Sequence, residues 1–72
     1  MCRMVVSVDQ SLRDKVKVGL LQIGATIVEE DYSGDRFADW AFKIESPKGM
    51  TEVLDFIWNV LNINWARVKR WK

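Results

Sequence analysis

The spacing of apolar residues along this chain switches repeatedly between two and about 3.6, and that switching limits its fold more than any other feature. Period two marks a strand, because successive side chains point to opposite sides; period 3.6 marks one face of a helix. Arg3 to Val8 is short and β-branched, a predicted strand with Met4, Val6 and Val8 on its core side and Arg3, Val5 and Ser7 on the other. Ser11-Leu12-Arg13-Asp14 reads as a helix start with Ser11 as N-cap. Leu12, Val16, Gly19, Leu20 and Ile23 then form one helical stripe, and Arg13, Lys15 and Lys17 its solvated side. Gly19 within that stripe suits close approach to the sheet, and Gly24 suits a left-handed C-terminal cap.

Two alternating runs follow, Ala25 to Tyr32 and Arg36 to Ser46, around the hairpin signal Ser33-Gly34-Asp35. A two-residue loop at Ser33-Gly34 pairs Ile27 with Trp40; one at Gly34-Asp35 pairs it with Phe42. Either register keeps Ile27, Trp40, Phe42 and Ile44 on one face, with Thr26, Val28, Phe37, Ala41 and Lys43 opposite. Ser46-Pro47 ends the hairpin, and Met50 to Leu61 reads as a second helix. Its polar positions Thr51, Glu52, Asp55, Asn59 and Asn62 form one narrow stripe. The apolar arc that remains covers roughly 200°, where one packed face needs only about 100°. Phe56 and Trp58 stand at its two edges.

After the loop Asn62-Ile63-Asn64, the octet Trp65 to Lys72 alternates again. Trp65, Arg67, Lys69 and Trp71 share one face; Ala66, Val68, Arg70 and Lys72 share the other, with Ala66 and Val68 turned inward. The order β-α-β-β-α-β is the ferredoxin-like, split βαβ signature of an α+β domain. It implies a four-stranded antiparallel sheet with both helices on one face and the octet as an edge strand.

The 72 residues make a single domain, 1–72, with room for one small core. A core of this size rarely supplies more than ~3–5 kcal/mol unaided. Four Trp, three Phe and one Tyr add aromatic bulk to it. The net charge of +1 is low for a general polyanion binder. The charge is unevenly placed: Glu29, Glu30, Asp31 and Asp35 cluster mid-chain, and Arg67, Lys69, Arg70 and Lys72 crowd the end. Cys2 is the only cysteine, which excludes an intramolecular disulfide and fits a reducing compartment. No signal-peptide pattern opens the sequence and no apolar run approaches the ~20 residues of a membrane span. A cytoplasmic protein that does not enter a membrane is expected.

The residue inventory argues against an enzyme. There is no histidine, so the commonest general base and metal ligand is missing, and neither a Ser-His-Asp nor a Cys-His site can form within the chain. Only Arg3 stands near Cys2 to activate it. No phosphate-binding glycine loop joins a strand to a helix start; Pro47-Lys48-Gly49 reads as an ordinary turn. Glu29, Glu30 and Asp31 lack the spacing of a cation loop, and alternation separates Glu30 from the other two. No catalytic residue, metal or cofactor is expected.

What remains is surplus apolar and aromatic surface. The wide second-helix arc with Phe56 and Trp58, Val18 and Leu21 off the first helix's stripe, and Trp65 and Trp71 beside Arg67 and Lys69 all suit a protein interface. The acidic residues Glu29, Glu30 and Asp31 suit a basic groove on a partner. The expected function is a small protein-binding module, an inhibitor or adaptor docking onto a larger complex or onto a second copy of itself. Phage-encoded inhibitors of host defence complexes, often this size, are an analogy only. Two other readings stand beside it. One is single-stranded nucleic-acid binding through an aromatic and basic sheet face, although Phe37 is the only aromatic on the expected open faces of the first and third strands. The other is a dimeric small-ligand regulatory domain.

Overall fold

A computed structural model of the protein describes residues 1–34, 36 and 38–70. The fold is α+β, with a four-stranded antiparallel sheet and two helices. The strands are β1 (Cys2–Val8), β2 (Thr26–Tyr32), β3 (Trp40–Ser46) and β4 (Arg67–Arg70), arranged β2-β3-β1-β4 with every neighbouring pair antiparallel. The period-two pattern sets which side is dry. Met4, Val6 and Val8 of β1 are fully buried, and opposite them Val6 meets Phe42 and Met4 meets Ile44, both also fully buried. On β4, Val68 opposes Val6 and joins the core, and Ala66 just before the strand is buried, as the octet's alternation requires.

The helices are α1 (Arg13–Gln22) and α2 (Met50–Asp55), the latter continuing through a π turn at Phe56–Val60. Val16 and Leu20 of α1, Val53 of α2 and Ile57 of the π turn lie in one cluster with the core side of the sheet. Both helices therefore cover the same sheet face. The α1 start differs from the expectation of a Ser11 cap. Asp9, two residues earlier and in extended backbone, accepts the Ser11 N–H at 2.9 Å and the Ser11 hydroxyl at 2.8 Å, so the helix is entered through a 3-10 turn at Gln10–Leu12. At the other end Gly24 has φ 86°, and its N–H donates to the Leu21 carbonyl while Ala25 N–H donates to that of Leu20. This paired closure is the Schellman motif, which a left-handed residue permits.

The β2–β3 register also differs. Tyr32 pairs with Trp40 and Ile27 with Ile44, so neither two-residue loop forms, and residues 33–39 make the connection. Asp39 anchors it: its carboxylate accepts Gln10 N–H at 2.8 Å and its carbonyl accepts Ser33 N–H at 2.8 Å. The Ser33 hydroxyl donates to the Ala38 carbonyl, and Ala38 is buried. A β-bulge between Ile27 and Glu29 absorbs the extra residue, Val28. The core face survives the change, because Ile27, Trp40, Phe42 and Ile44 all pack on the core. The placements expected for Phe37 and Trp71, like Asp35 and Lys72, lie outside the described residues.

Candidate protein-interaction surface

The helix layer is built around a seam at Gly19. A Cβ there would lie 2.9 Å from Leu61 Cδ1 and 3.1 Å from Phe56 Cε2, so the missing side chain lets the segment after α2 press against α1. The close approach is to the second helix, not to the sheet. Leu61 N–H donates to the Phe56 carbonyl at 3.2 Å, closing the wider π turn. Asn62 then adopts φ 56°, and Ile63 N–H returns to the Ile57 carbonyl at 3.1 Å. This local geometry divides the wide apolar arc. Ile57 and Leu61 are buried, Phe56 and Leu54 half-buried, and Trp58 and Val60 stay 44% and 63% exposed. On α1, Val18 and Leu21 are 57% and 54% exposed. Val18 and Val60 are the chain neighbours of Gly19 and Leu61, the two residues in contact, and both are exposed.

The other side of the sheet is charged. Cross-strand pairing puts Arg3, Val5 and Ser7 of β1 beside Glu45, Lys43 and Ala41 of β3. On β2, Thr26, Glu29 and Asp31 pair with that β3 row, and on β4, Lys69 and Arg67 pair with Val5 and Ser7. Arg3 Nε meets Glu45 Oε2 at 3.0 Å and Lys43 Nζ meets Glu29 Oε2 at 3.4 Å across this face. Glu30 points the opposite way and pairs with Lys17 of α1 at 2.9 Å. The three acidic residues thus do not act as one patch, as alternation predicts. Arg67 and Lys69 share the open face as expected, whereas Arg70 opposes Met4 and belongs to the helix side.

Trp65 precedes β4 and is 66% exposed. It lines a cavity of about 260 Å³ at the end of the sheet, with Asp9, Ser11, Asn62 and Asn64 on its walls. It is therefore grouped with the α1 entry as well as with the terminal strand. Asp9 is held below the ordinary carboxylate value by the Ser11 N–H and then the Ser11 hydroxyl. A third aromatic group went unread in the sequence: Tyr32 stands edge-on to Trp40 with ring centroids 5.1 Å apart, and the Arg13 guanidinium lies 5.1 Å from the Trp40 ring centre. The signal was present. Arg13 lies on the β2–β3 edge of α1, near the stripe rather than opposite it.

Among the described residues, no group of three or more His, Cys, Asp or Glu side chains is placed to hold a metal ion. No helix of these residues is long and apolar enough to cross a membrane. No protein-family model, curated protein or solved structure matches this chain.

Proposed function

We propose that the protein is a non-enzymatic protein-binding module that docks through its helix layer onto a larger protein, acting as an inhibitor or adaptor. The observation that carries this reading is the set Val18, Leu21, Trp58 and Val60, large apolar side chains left exposed on both helical segments while the core beneath them is closed. Single exposed apolar residues are ordinary, but several on one layer of so small a domain are what an interface uses. Trp58 supplies the aromatic anchor that interface centres favour. A nucleic-acid platform has less support: among the described residues, the cross-strand rows Arg3/Glu45, Val5/Lys43 and Ser7/Ala41 with Thr26, Glu29, Asp31, Lys69 and Arg67 carry no aromatic residue, and the β2 edge is acidic. We read the architecture more finely as ferredoxin-like. In support, the order taken from the other edge is β4-β1-β3-β2, with both helices on one face.

The test is affinity capture from native lysate, with and without nuclease, followed by mass spectrometry. The wild-type chain is expected to retain a nuclease-resistant protein that the Val18→Ser/Leu21→Ser and Trp58→Ser/Val60→Ser variants lose while keeping wild-type circular dichroism. Unchanged capture by both folded variants, or a catch that nuclease abolishes, overturns the reading.

A further inference from the structure

We propose that the open face of the sheet is a self-association surface, binding the same face of a second copy about a two-fold axis parallel to the strands. The charge on this face rises steadily across the sheet. On β2 it carries Glu29 and Asp31, on β3 the opposed Lys43 and Glu45, on β1 Arg3, and on β4 Lys69 and Arg67. A two-fold axis along the strands inverts left and right but keeps each residue's height on the strand. It therefore lays the acidic β2 of one copy over the basic β4 of the other. The cross-strand rows then match individually. Asp31 shares a row with Arg67 through Ala41 and Ser7, and Glu29 shares one with Lys69 through Lys43 and Val5. In the dimer Asp31 faces the second copy's Arg67, Glu29 faces its Lys69 and Glu45 faces its Arg3. Each contact occurs twice by symmetry.

The centre of the face is suited to close packing. Val5 and Ala41 are small and half-buried and, with the already buried Ser7, occupy the middle strands, where two stacked sheets approach to about 10 Å. Four strands about 4.8 Å apart and at most seven residues long give the open face an outline of roughly 400 Å², a small interface that suits a dimer sensitive to salt. The competing symmetric arrangement, edge to edge, meets repulsion at both edges. Pairing β4 with itself brings Arg67, Lys69 and Arg70 against their own copies, and pairing β2 with itself does the same for Glu29, Glu30 and Asp31. The helix layer lies on the other side of the sheet, so self-association here and partner capture there fail independently.

Sedimentation equilibrium across a micromolar concentration series tests this in low and high salt. The wild type is expected to dimerise at about 50 mM salt and to dissociate at about 1 M, where charges are screened within ~3 Å. Lys69→Glu, at an exposed position with no ion pair among the described residues, should weaken the dimer by about tenfold or more, since it sets carboxylate against Glu29 twice. Glu29→Lys should do the same, and the double exchange Glu29→Lys/Lys69→Glu should restore dimerisation. A wild type that stays monomeric throughout the series at low salt overturns the proposal. So does a dimer that either single reversal leaves intact, or a folded double variant that stays monomeric.

Discussion

Replacing Gly19 by alanine tests the seam that sets the helix layer. In a helix with open space beside it, this change stabilises by about 1 kcal/mol, because alanine loses less backbone freedom on folding. Here the new Cβ would stand 2.9 Å from Leu61 Cδ1, 3.1 Å from Leu61 Cδ2 and 3.1 Å from Phe56 Cε2. Carbon atoms rest about 3.5–4.0 Å apart, so both side chains must yield by several tenths of an ångström. Leu61 is buried and Phe56 is half-buried, and overpacking of this kind costs about 1–3 kcal/mol. The net expectation is a loss of roughly 0–2 kcal/mol rather than a gain. At about 4–8 °C per kcal/mol for a domain of this size, thermal unfolding followed by circular dichroism resolves it. Trimming the obstacle supplies the control. Gly19→Ala combined with Leu61→Val should be more stable than the two single effects sum to, by about 0.5–1 kcal/mol. A Gly19→Ala protein that melts several degrees higher, or strict additivity with Leu61→Val, would refute the close contact.

Two further expectations concern the ends of the helical segments. Asp9 titrates below its ordinary value of 3.8 because Ser11 bonds its ionised form, so its contribution is present above that pH and lost as pH falls through the lowered value. Asp9→Ala should therefore lower the melting temperature at pH 7, and the gap to wild type should narrow as pH falls below 3.8 and through the lowered value. Asn62 holds φ 56°, so Asn62→Ala should cost about 1 kcal/mol in urea unfolding and Asn62→Gly clearly less. Equal losses for both substitutions would argue for a lost side-chain contact in place of backbone strain.

Much of this fold was legible in the residues because burial enforces periodicity. Met4, Val6 and Val8 alternate in β1 and are all fully buried; Val16 and Leu20 sit where the helical stripe requires them. Gly24 announced its left-handed cap. What the sequence concealed depends on contacts between distant segments. The Ser33-Gly34-Asp35 signal favoured a tight hairpin, but Asp39 is tied to Gln10 at the start of α1, and that bond from 29 positions away helps set the longer connection. The bulge at Val28 likewise has no local marker. The partner of Gly19 was likewise hidden, since a glycine shows that something comes close but not what.

The candidate surface was legible only in outline. The excess width of the apolar arc was plain, but dividing it required the π turn, which buries Ile57 and Leu61 and leaves Trp58 and Val60 exposed. The described residues of the terminal octet show two settings. Arg67 and Lys69 lie on the open sheet, whereas Trp65, before the strand begins, lines a cavity with Asp9 and Asn62.

The central claim is that the helix layer meets the partner. Carbene footprinting of the protein alone and in its captured complex, read out residue by residue, tests it most directly. Protection is expected at Val18, Leu21, Trp58 and Val60, with Thr26 on the open sheet face labelled as in the partner-free protein at the same salt. Protection confined to the open sheet face, with those four side chains labelled as in the free protein, would contradict it.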